Sequence, residues 1–303
     1  MLEQKLPGTI ILGAPKCGTT AMARYLDLHP NAWLSSPKEP HYFATDLPGY
    51  RSMKNLAEYQ ALFSGHADSD LSFEASVFYL YSRTALSEIE RVCDDVKLLV
   101  MLRNPVDMVH SLHSQLLYSG DEDQEDFAQA WQLIADRKAG RKIPRRCRAR
   151  EILYYDEIGK YGEQLSRVLK VIPEERIRII RFEDFSRDTR EVYKSVVEFL
   201  GLPPFEPEKF QRENPNRRHR SAFTRWLLLD AARIIKPMVT AFKKTFGVEK
   251  IGVVDRLRKA SLVYESRSPI SHELRQEIYR NYADDIAQLE KLLDWDLRDW
   301  VIS

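Results

Sequence analysis

The most constraining feature of this 303-residue chain is a glycine-containing turn, Gly13–Thr20, between an apolar run and a helical pattern. It reads Gly-Ala-Pro-Lys-Cys-Gly-Thr-Thr, follows Thr9–Leu12 and leads into Thr19–Leu28. In a strand–loop–helix unit of this kind, the loop N–H groups and the helix N-terminus point at one place, which forms a cradle for an anion. The turn therefore predicts an α/β fold with an anion site near its first strand.

The lysine of this turn stands in an unusual place. A Walker A loop reads G-x-x-x-x-G-K-[ST], and Gly13 and Gly18 keep its spacing, with Thr20 at the Ser/Thr position. Thr19 occupies the lysine position, and the lysine lies inside the loop, at Lys16. The pattern predicts a loop for a phosphate ligand other than ATP or GTP. A plain strand–turn–helix corner is the alternative interpretation.

Two further apolar runs, Val96–Leu102 and Ile177–Phe182, have the continuous hydrophobic character of strands that are buried in a parallel sheet. Helical patterns alternate with them, which predicts a three-layer α/β fold with a central parallel sheet and a P-loop-like phosphate-binding loop. The clearest helical patterns are Pro105–Tyr118, Tyr161–Val171, Thr189–Leu200 and His272–Leu293. The charged stretch Gly120–Glu151 has weak strand signals and is predicted to be helix plus mobile loop.

Composition limits the classes of protein that are compatible with the chain. A hydrophobic content of 44% supports a sizeable core, and we expect a single domain over 1–303, with 121–151 and 221–268 as variable acceptor-side or interface segments. A net charge of +1 provides no global field for nucleic acid, so no nucleic-acid partner is expected. Three cysteines without paired spacing favour a reducing compartment. We therefore expect a cytoplasmic protein.

A second motif follows the apolar run Val96–Leu102. Arg103 stands where this strand ends, and ligands bind at the carboxyl ends of strands in open α/β sheets. Arginine makes bidentate contacts with phosphate, and Ser111 lies two turns into the next helix, within reach of the same anion. A Walker-type nucleotidase would need an aspartate for Mg²⁺ at such a strand end. The arginine predicts direct neutralisation of a phosphate, or alternatively a structural ion pair.

Together the two motifs resemble the PAPS-binding motifs of sulfotransferases (PAPS is 3′-phosphoadenosine-5′-phosphosulfate). The resemblance extends over nearly the whole chain, to Ile177–Phe185, Val196–Leu202 and Leu289–Trp300. It implies PAPS as the donor, PAP as the product and no metal. It also implies that Arg103 and Ser111 hold the 3′-phosphate and that the first loop holds the 5′-phosphosulfate through Lys16, Cys17, Gly18, Thr19 and Thr20.

A third motif, Ser36–Phe43, is similar to a Lys-Glu-x-His-Phe-Phe segment of heparan-sulfate-type sulfotransferases. An acceptor hydroxyl is a poor nucleophile at neutral pH and must lose its proton as it attacks sulfur. The resemblance implies that Glu39 is the general base. His41 is the alternative, because histidine has this role in the small-molecule branch of the family. A surface loop with a satisfied histidine and a paired glutamate is the structural alternative.

Three other segments carry weaker signals. Leu71–Tyr79 resembles an acceptor-cleft segment, so that Glu74 is either an acceptor-site residue or a structural one. Tyr161 falls in a stretch that helps to cover the nucleotide in carbohydrate sulfotransferases, and capping of the following helix is the alternative. Arg217 and Arg218 fall where family members place a basic loop over the 3′-phosphate, and a solvated basic turn is the alternative. The basic, aromatic stretch 217–244 has the composition of a contact with a membrane surface or an anionic glycan, although a helix packed on the core is also compatible with it.

These observations predict a sulfotransferase that acts on a hydroxyl of a sugar, glycolipid or other small molecule. Two alternatives remain open at this point. One is a P-loop kinase or nucleotidase, against which the displaced lysine and the absent aspartate argue. The other is a non-catalytic glycan- or membrane-associated protein on the same scaffold, against which Lys16 and Glu39 argue. The sequence specifies neither the acceptor nor the oligomeric state.

Overall fold

The computed structural model describes residues 5–64, 71–210 and 269–302, together with the backbone of 217–219 and 262–264. Its centre is a sheet of five parallel strands in the order β2-β3-β1-β4-β5. The strands are β1 (Thr9–Gly13), β2 (Ala32–Leu34), β3 (Leu71–Glu74), β4 (Lys97–Leu102) and β5 (Ile177–Arg181). A separate antiparallel pair joins β6 (Arg217–His219) to β7 (Leu262–Tyr264).

The predicted three-layer α/β fold is confirmed. Every residue of β1 is buried, as is nearly every residue of β4, which requires cover on both faces of the sheet. The three predicted strands are present, but Phe182 begins a helix and does not end β5. The short strands β2 and β3 complete the sheet, and the sequence patterns did not identify them.

Twelve α-helices are described. They are α1 (Thr19–Asp27), α2 (Leu56–Ala61), α3 (Ala85–Val92), α4 (Pro105–Ser119), α5 (Phe127–Gln132), α6 (Ile134–Lys138), α7 (Tyr155–Ile158), α8 (Tyr161–Leu169), α9 (Phe182–Arg187), α10 (Thr189–Leu200), α11 (His272–Leu293) and α12 (Asp299–Ile302). Short 3₁₀ turns cover Arg150–Leu153 and Glu174–Arg176. Within the described ranges, no helix has the length and apolar character of a membrane span.

Local chemistry explains where the helices next to the sheet begin and end. The side chain of Asn104 accepts a hydrogen bond from the N–H of Val106 at 3.0 Å, and Pro105 fills the first helical position of α4. Helix α10 ends at Gly201, whose φ of 76° lies in the left-handed region that glycine tolerates. These boundaries match the predicted ones, and they fix the start of α4 directly beside Arg103.

The strand order brings the predicted site segments together. The chain leaves β1 for β2 and β3 on one side of the sheet, and then crosses to β4 and β5 on the other. Because all five strands are parallel, the segments that follow them emerge at one edge of the sheet. The turn after β1, the Ser36–Phe43 segment after β2 and Arg103 after β4 therefore share this edge, around the strand where the order reverses.

The stretch 121–151 contains the helices α5 and α6, in agreement with the predicted helix, and a buried ion pair anchors it. Arg137 donates two hydrogen bonds to the carboxylate of Glu122, at 2.7 and 2.6 Å, and both side chains are fully buried. The hydroxyl of Tyr155 and the N–H groups of Asp123 and Gln124 donate to the same carboxylate. One pair of opposite charges in this charge-rich stretch is therefore neutralised in the core.

We expect Arg137→Met to lower the free energy of unfolding by about 3–5 kcal/mol, because it leaves the Glu122 carboxylate buried without its counter-charge. Urea unfolding followed by circular dichroism measures this. Arg141→Met is the control, since Arg141 pairs with Asp136 on the surface and such a pair contributes at most about 1 kcal/mol. Equal losses in the two variants would contradict the role of the buried pair.

Candidate active site

The turn after β1 is packed closely against its neighbours in the sheet. The N–H of Ala14 donates to the carbonyl of Met101 in β4 at 2.7 Å. Gly13 has a φ of 142°, and a Cβ at this position would lie 2.5 Å from the carbonyl oxygen of Val77. A side chain at Gly13 is therefore excluded by space and by backbone conformation.

The N-terminus of α1 has the properties of an anion site. Gly18 is its N-cap residue, with a φ of 87°, so no side chain caps the first N–H groups. The first turn contains no acidic residue, while Lys16, with a φ of 60°, brings a cation into the same loop in a left-handed conformation that is uncommon outside glycine. Thr19 is buried and Thr20 is partly exposed. N–H groups without a side-chain cap, the helix dipole and a nearby lysine together favour an anion.

The side chain of Cys17, which belongs to this loop, is buried next to Tyr161. The Cys17 thiol is fully buried, donates to the carbonyl of Pro15 at 3.3 Å and lies 3.8 Å from the hydroxyl of Tyr161. Burial raises the pKa of Cys17 to about 12, so that the thiol stays protonated. Both Cys17 and Tyr161 were predicted to contact the nucleotide. With its thiol buried, Cys17 can offer its backbone N–H to such a ligand. The position of Tyr161, with its ring against Trp300, favours support of the loop over cover of a ligand.

Arg103 follows the end of β4, and its guanidinium lies between an aromatic ring and a carboxylate. Its guanidinium carbon lies 4.8 Å from the ring centre of Phe182, and an Nη atom lies 3.7 Å from the carboxylate of Asp107. Asp107 also accepts a hydrogen bond from Arg275 of α11 at 2.7 Å. Ser111 follows Asp107 by one helical turn and is 5% exposed. Arg103 and Arg275 therefore share the Asp107 carboxylate near the start of α4, and Ser111 lies on the same face of that helix, one turn further on.

The antiparallel pair lies near the same helix. Strand β6 runs beside α4, which brings the backbone of Arg217 and Arg218 to this part of the fold. Their side chains, and residues 220–261 with most of the predicted surface segment 217–244, lie outside the described residues. The predicted contact of these arginines with a 3′-phosphate stays a prediction.

Lys38 and Glu39 project from the segment that follows β2. The Lys38 ammonium lies 2.6 Å from a Glu39 carboxylate oxygen and donates a hydrogen bond to the Thr20 hydroxyl at 3.3 Å. The carbonyl of Lys38 accepts from the N–H of Ala75 at 2.9 Å, which ties this segment to the end of β3. The Glu39 side chain is 33% exposed. A carboxylate that a ligand can reach thus stands beside the first turn of α1.

His41 lies beneath Glu39. The residue is 2% exposed and packs among the rings of Tyr50, Phe78 and Tyr79. Its Nδ1 lies 3.3 Å from the carbonyl oxygen of Glu39, while its buried Nε2 has no hydrogen-bond partner in the described part of the chain. Burial lowers the pKa of His41 to about 4, against the opposing effect of Glu39. The imidazole is therefore neutral near pH 7.

Glu74 supports the same segment from below. Its buried carboxylate accepts hydrogen bonds from the hydroxyls of Tyr59 at 2.8 Å, Tyr79 at 3.0 Å and Ser76. The Ser76 hydroxyl in turn accepts from the N–H of His41 at 2.9 Å. Burial raises the pKa of Glu74 to about 7, although the three hydroxyl groups act against it. Full burial favours the structural alternative for Glu74 over direct contact with an acceptor.

Arg148 and Tyr50 extend the site beyond the three motifs, and sequence reasoning missed them. The Arg148 guanidinium lies 4.0 Å from the ring centre of Tyr50 and pairs with Asp121. Tyr50 in turn packs against His41, with ring centres 5.7 Å apart. The segment 121–151 thus reaches the edge of the Glu39 region. Its eight basic residues between 137 and 150 were visible in the sequence, but nothing there showed which of them faces the site.

The described residues contain no group of three His, Cys, Asp or Glu side chains that could hold a metal ion. Titratable groups at the site instead separate into two sets. Glu39, Lys38 and Arg103 are partly exposed, whereas His41, Glu74 and Cys17 are buried. The exposed set can contact a ligand, and the buried set holds the backbone around it.

Comparison with known proteins gives a consistent result. Residues 6–255 match the model of the sulfotransferase domain family. A bifunctional heparan sulfate N-deacetylase/N-sulfotransferase 1 of Caenorhabditis elegans is 23% identical over 222 residues, which cover 71% of this chain and 24% of that protein. Heparan sulfate glucosamine 3-O-sulfotransferase 5 of Mus musculus is 26% identical over 203 residues, or 67% of this chain and 56% of that protein. The chain therefore matches only part of the length of these relatives.

A solved structure has a similar fold. The crystal structure of a sulfotransferase from Alicyclobacillus acidocaldarius aligns with a TM-score of 0.68 at 24% sequence identity, and the alignment covers 98% of this chain and 99% of that one. This likeness concerns the fold.

The buried imidazole predicts a pH-dependent stability. Because the pKa of His41 is about 4 in the folded protein and near 6.5 when unfolded, its contribution is complete above pH 6.5 and is lost as the pH falls towards 4. We expect wild type to lose up to about 3 kcal/mol more than His41→Asn between pH 7 and pH 4. Asparagine tolerates the left-handed φ of 49° at this position.

Urea unfolding of both proteins at several pH values gives this difference. Glu74 acts in the opposite direction, since its pKa is raised and its contribution is lost as the pH rises from 4.5 towards 7. It is common to both proteins and cancels in the comparison. Parallel pH profiles for the two proteins would contradict the burial of a neutral His41.

Proposed function

Because this chain belongs to the sulfotransferase family, we propose that it transfers a sulfuryl group from PAPS to an acceptor hydroxyl. One observation carries the proposal: the parallel sheet brings the Lys16 loop, Arg103 and Glu39 to one edge. These are, respectively, a site for a phosphate, a separate site for a second phosphate and an accessible carboxylate. PAPS has two phosphate positions, and its transfer reaction needs a base.

The residues present fit the donor. The uncapped N-terminus of α1, with Thr19, Thr20 and the loop N–H groups, suits the 5′-phosphate. Arg103, held against Phe182 and just before the helix that carries Ser111, suits the 3′-phosphate. PAPS has a 3′-phosphate and ATP does not. An arginine at the end of β4 can bind that phosphate and would therefore favour PAPS over ATP. When bound, the donor supplies an activated sulfuryl group attached to a phosphate leaving group.

Lys16 is proposed to stabilise the leaving group. As the bond between sulfur and the bridging oxygen breaks, negative charge develops on the departing 5′-phosphate. A fixed ammonium at that oxygen stabilises the transition state more than the ground state, which is the condition for catalysis. The displaced position of Lys16 within the loop suits this role.

Glu39 is proposed as the general base, with His41 as the residue that holds it. The Glu39 carboxylate is partly exposed, whereas Nε2 of His41 is buried and its pKa is about 4. A base must reach the proton that it removes, and a base of such low pKa has little capacity near pH 7. The contact of Nδ1 with the Glu39 carbonyl gives His41 a positioning role.

The acceptor is proposed to be a hydroxyl of a sugar, glycolipid or other small molecule. Two of the similar proteins carry heparan sulfate in their names, which favours a carbohydrate. Acceptor preference in such a fold resides in loops over a constant scaffold. A cytoplasmic location, a single domain and contact of 217–244 with an anionic surface remain proposals from the sequence.

Incubation with ³⁵S-labelled PAPS and fractionated cell metabolites tests this function directly, and label should enter an acceptor only when the protein is present. Titration calorimetry with PAP tests the donor site independently. Turnover of Mg²⁺-ATP without PAP binding would support the kinase alternative. Failure to bind PAP and to transfer label would support the non-catalytic alternative.

Two substitutions separate chemistry from donor binding. We expect Lys16→Ala to lower kcat by about 10²–10³-fold while the Kd for PAP changes by less than about threefold. Arg103→Ala should instead weaken PAP binding by about 10–100-fold, the effect of one charge-assisted hydrogen bond. Lys170→Ala, at an exposed position after α8, is the control. Equal losses of kcat and affinity in Lys16→Ala would contradict the leaving-group role.

The base assignment has its own test. Glu39→Gln keeps the shape of the side chain and removes its proton-accepting capacity, so kcat should fall by about 10²–10⁴-fold with PAP affinity retained. His41→Asn should lower kcat by less than about tenfold, because it alters the support of Glu39 and not the proton transfer itself. Initial rates with saturating PAPS give both values. A larger loss in His41→Asn than in Glu39→Gln would reverse the assignment.

A further inference from the structure

Lys38 connects the two halves of the site. Its ammonium lies 2.6 Å from the Glu39 carboxylate on one side and 3.3 Å from the Thr20 hydroxyl, in the first turn of α1, on the other. The side chain is 22% exposed, so a ligand can reach it. A single cation thus stands between the proposed base and the loop that suits the donor.

The position of Lys38 is fixed by the backbone on both sides. Its carbonyl accepts from the N–H of Ala75 at the end of β3. The Ser35 hydroxyl donates to the carbonyl of Pro37 at 2.8 Å and closes the turn that precedes Lys38. The residue therefore presents its side chain from a rigid support, which is the requirement for electrostatic catalysis without reorganisation.

We propose that Lys38 is a second catalytic cation, which binds the oxygens of the transferring sulfuryl group. This rests on the proposed function. In the transfer, a bond forms between the acceptor oxygen and sulfur, and the bond from sulfur to the bridging oxygen breaks. Its electron pair goes to the 5′-phosphate, and the hydroxyl proton goes to Glu39. Lys16 stabilises the charge on the departing 5′-phosphate oxygen, and Lys38 binds the oxygens of the sulfuryl group during its transfer.

The ion pair with Glu39 gives Lys38 a role that increases during the reaction. Before the transfer, the ammonium is shared between the carboxylate and the donor side. When Glu39 takes the proton, the carboxylate loses its charge and the ion pair ends. The ammonium then interacts only with the sulfuryl and phosphate oxygens. An interaction that strengthens towards the transition state raises kcat more than it lowers KM.

Lys38→Met tests the proposal, because methionine keeps the length of the side chain and removes the charge. We expect kcat to fall by about 100-fold. Affinity for PAPS should fall about tenfold, as for the loss of one hydrogen bond to a charged group, while affinity for PAP, which has no sulfuryl group, changes by less than about threefold. Lys38→Arg should recover part of both losses. Lys54→Met, at an exposed lysine of the next segment, is the matched control.

The ratio of the two affinities distinguishes a contact with the sulfuryl group from support of Glu39. A lysine that only held Glu39 would change kcat and leave the PAPS-to-PAP affinity ratio unchanged, which would overturn the proposal. A wild-type kcat in Lys38→Met would also overturn it. If the wild-type protein bound neither nucleotide, the proposed function itself would fail, and the two failures are thereby separate.

Discussion

The parallel pairing of β1 with β3 and β4 is the constraint on which the rest of the structure depends. It aligns the carboxyl ends of strands that are far apart in the chain, so that the segments after β1, β2 and β4 meet at one edge. The buried apolar side chains of these strands provide the hydrophobic stabilisation that holds this alignment. Strained or charged loops, such as the one that holds Lys16, can therefore exist at the edge because the sheet beneath them is rigid.

Much of the fold was readable from the sequence because buried parallel strands and capped helices leave local patterns. The runs that became β1, β4 and β5 are apolar throughout, and Asn104 and Gly201 mark helix ends. Strands β2 and β3 were not predicted. Strand β2 has only three residues, and β3 carries the polar residues Ser72 and Glu74. The buried pair that anchors the stretch 121–151 was not predicted, because no local pattern shows that two opposite charges 15 residues apart meet in the core.

The residues of the candidate site that belong to sequence motifs were predicted, whereas their contacts with other segments were not. Lys16, Arg103 and Glu39 belong to motifs with a spacing that has a physical reason, and the sheet brings these motifs together. The contact of Lys38 with Thr20 joins residues 18 positions apart, and the burial of His41 results from aromatic side chains on other segments. Sequence alone left Glu39 and His41 as competing bases, because exposure is a property of the folded chain.

The buried pair of Arg137 and Glu122 has a consequence for engineering the surface of the 121–151 segment. It anchors the 121–151 segment from inside, while residues 139–142 form an exposed tip between α6 and the Arg148 region. Insertions and exchanges are tolerated best where the backbone is exposed and makes few contacts. Insertions at this exposed tip are therefore expected to leave the buried pair in place, provided that Gly140 is kept, because its φ of 76° favours glycine.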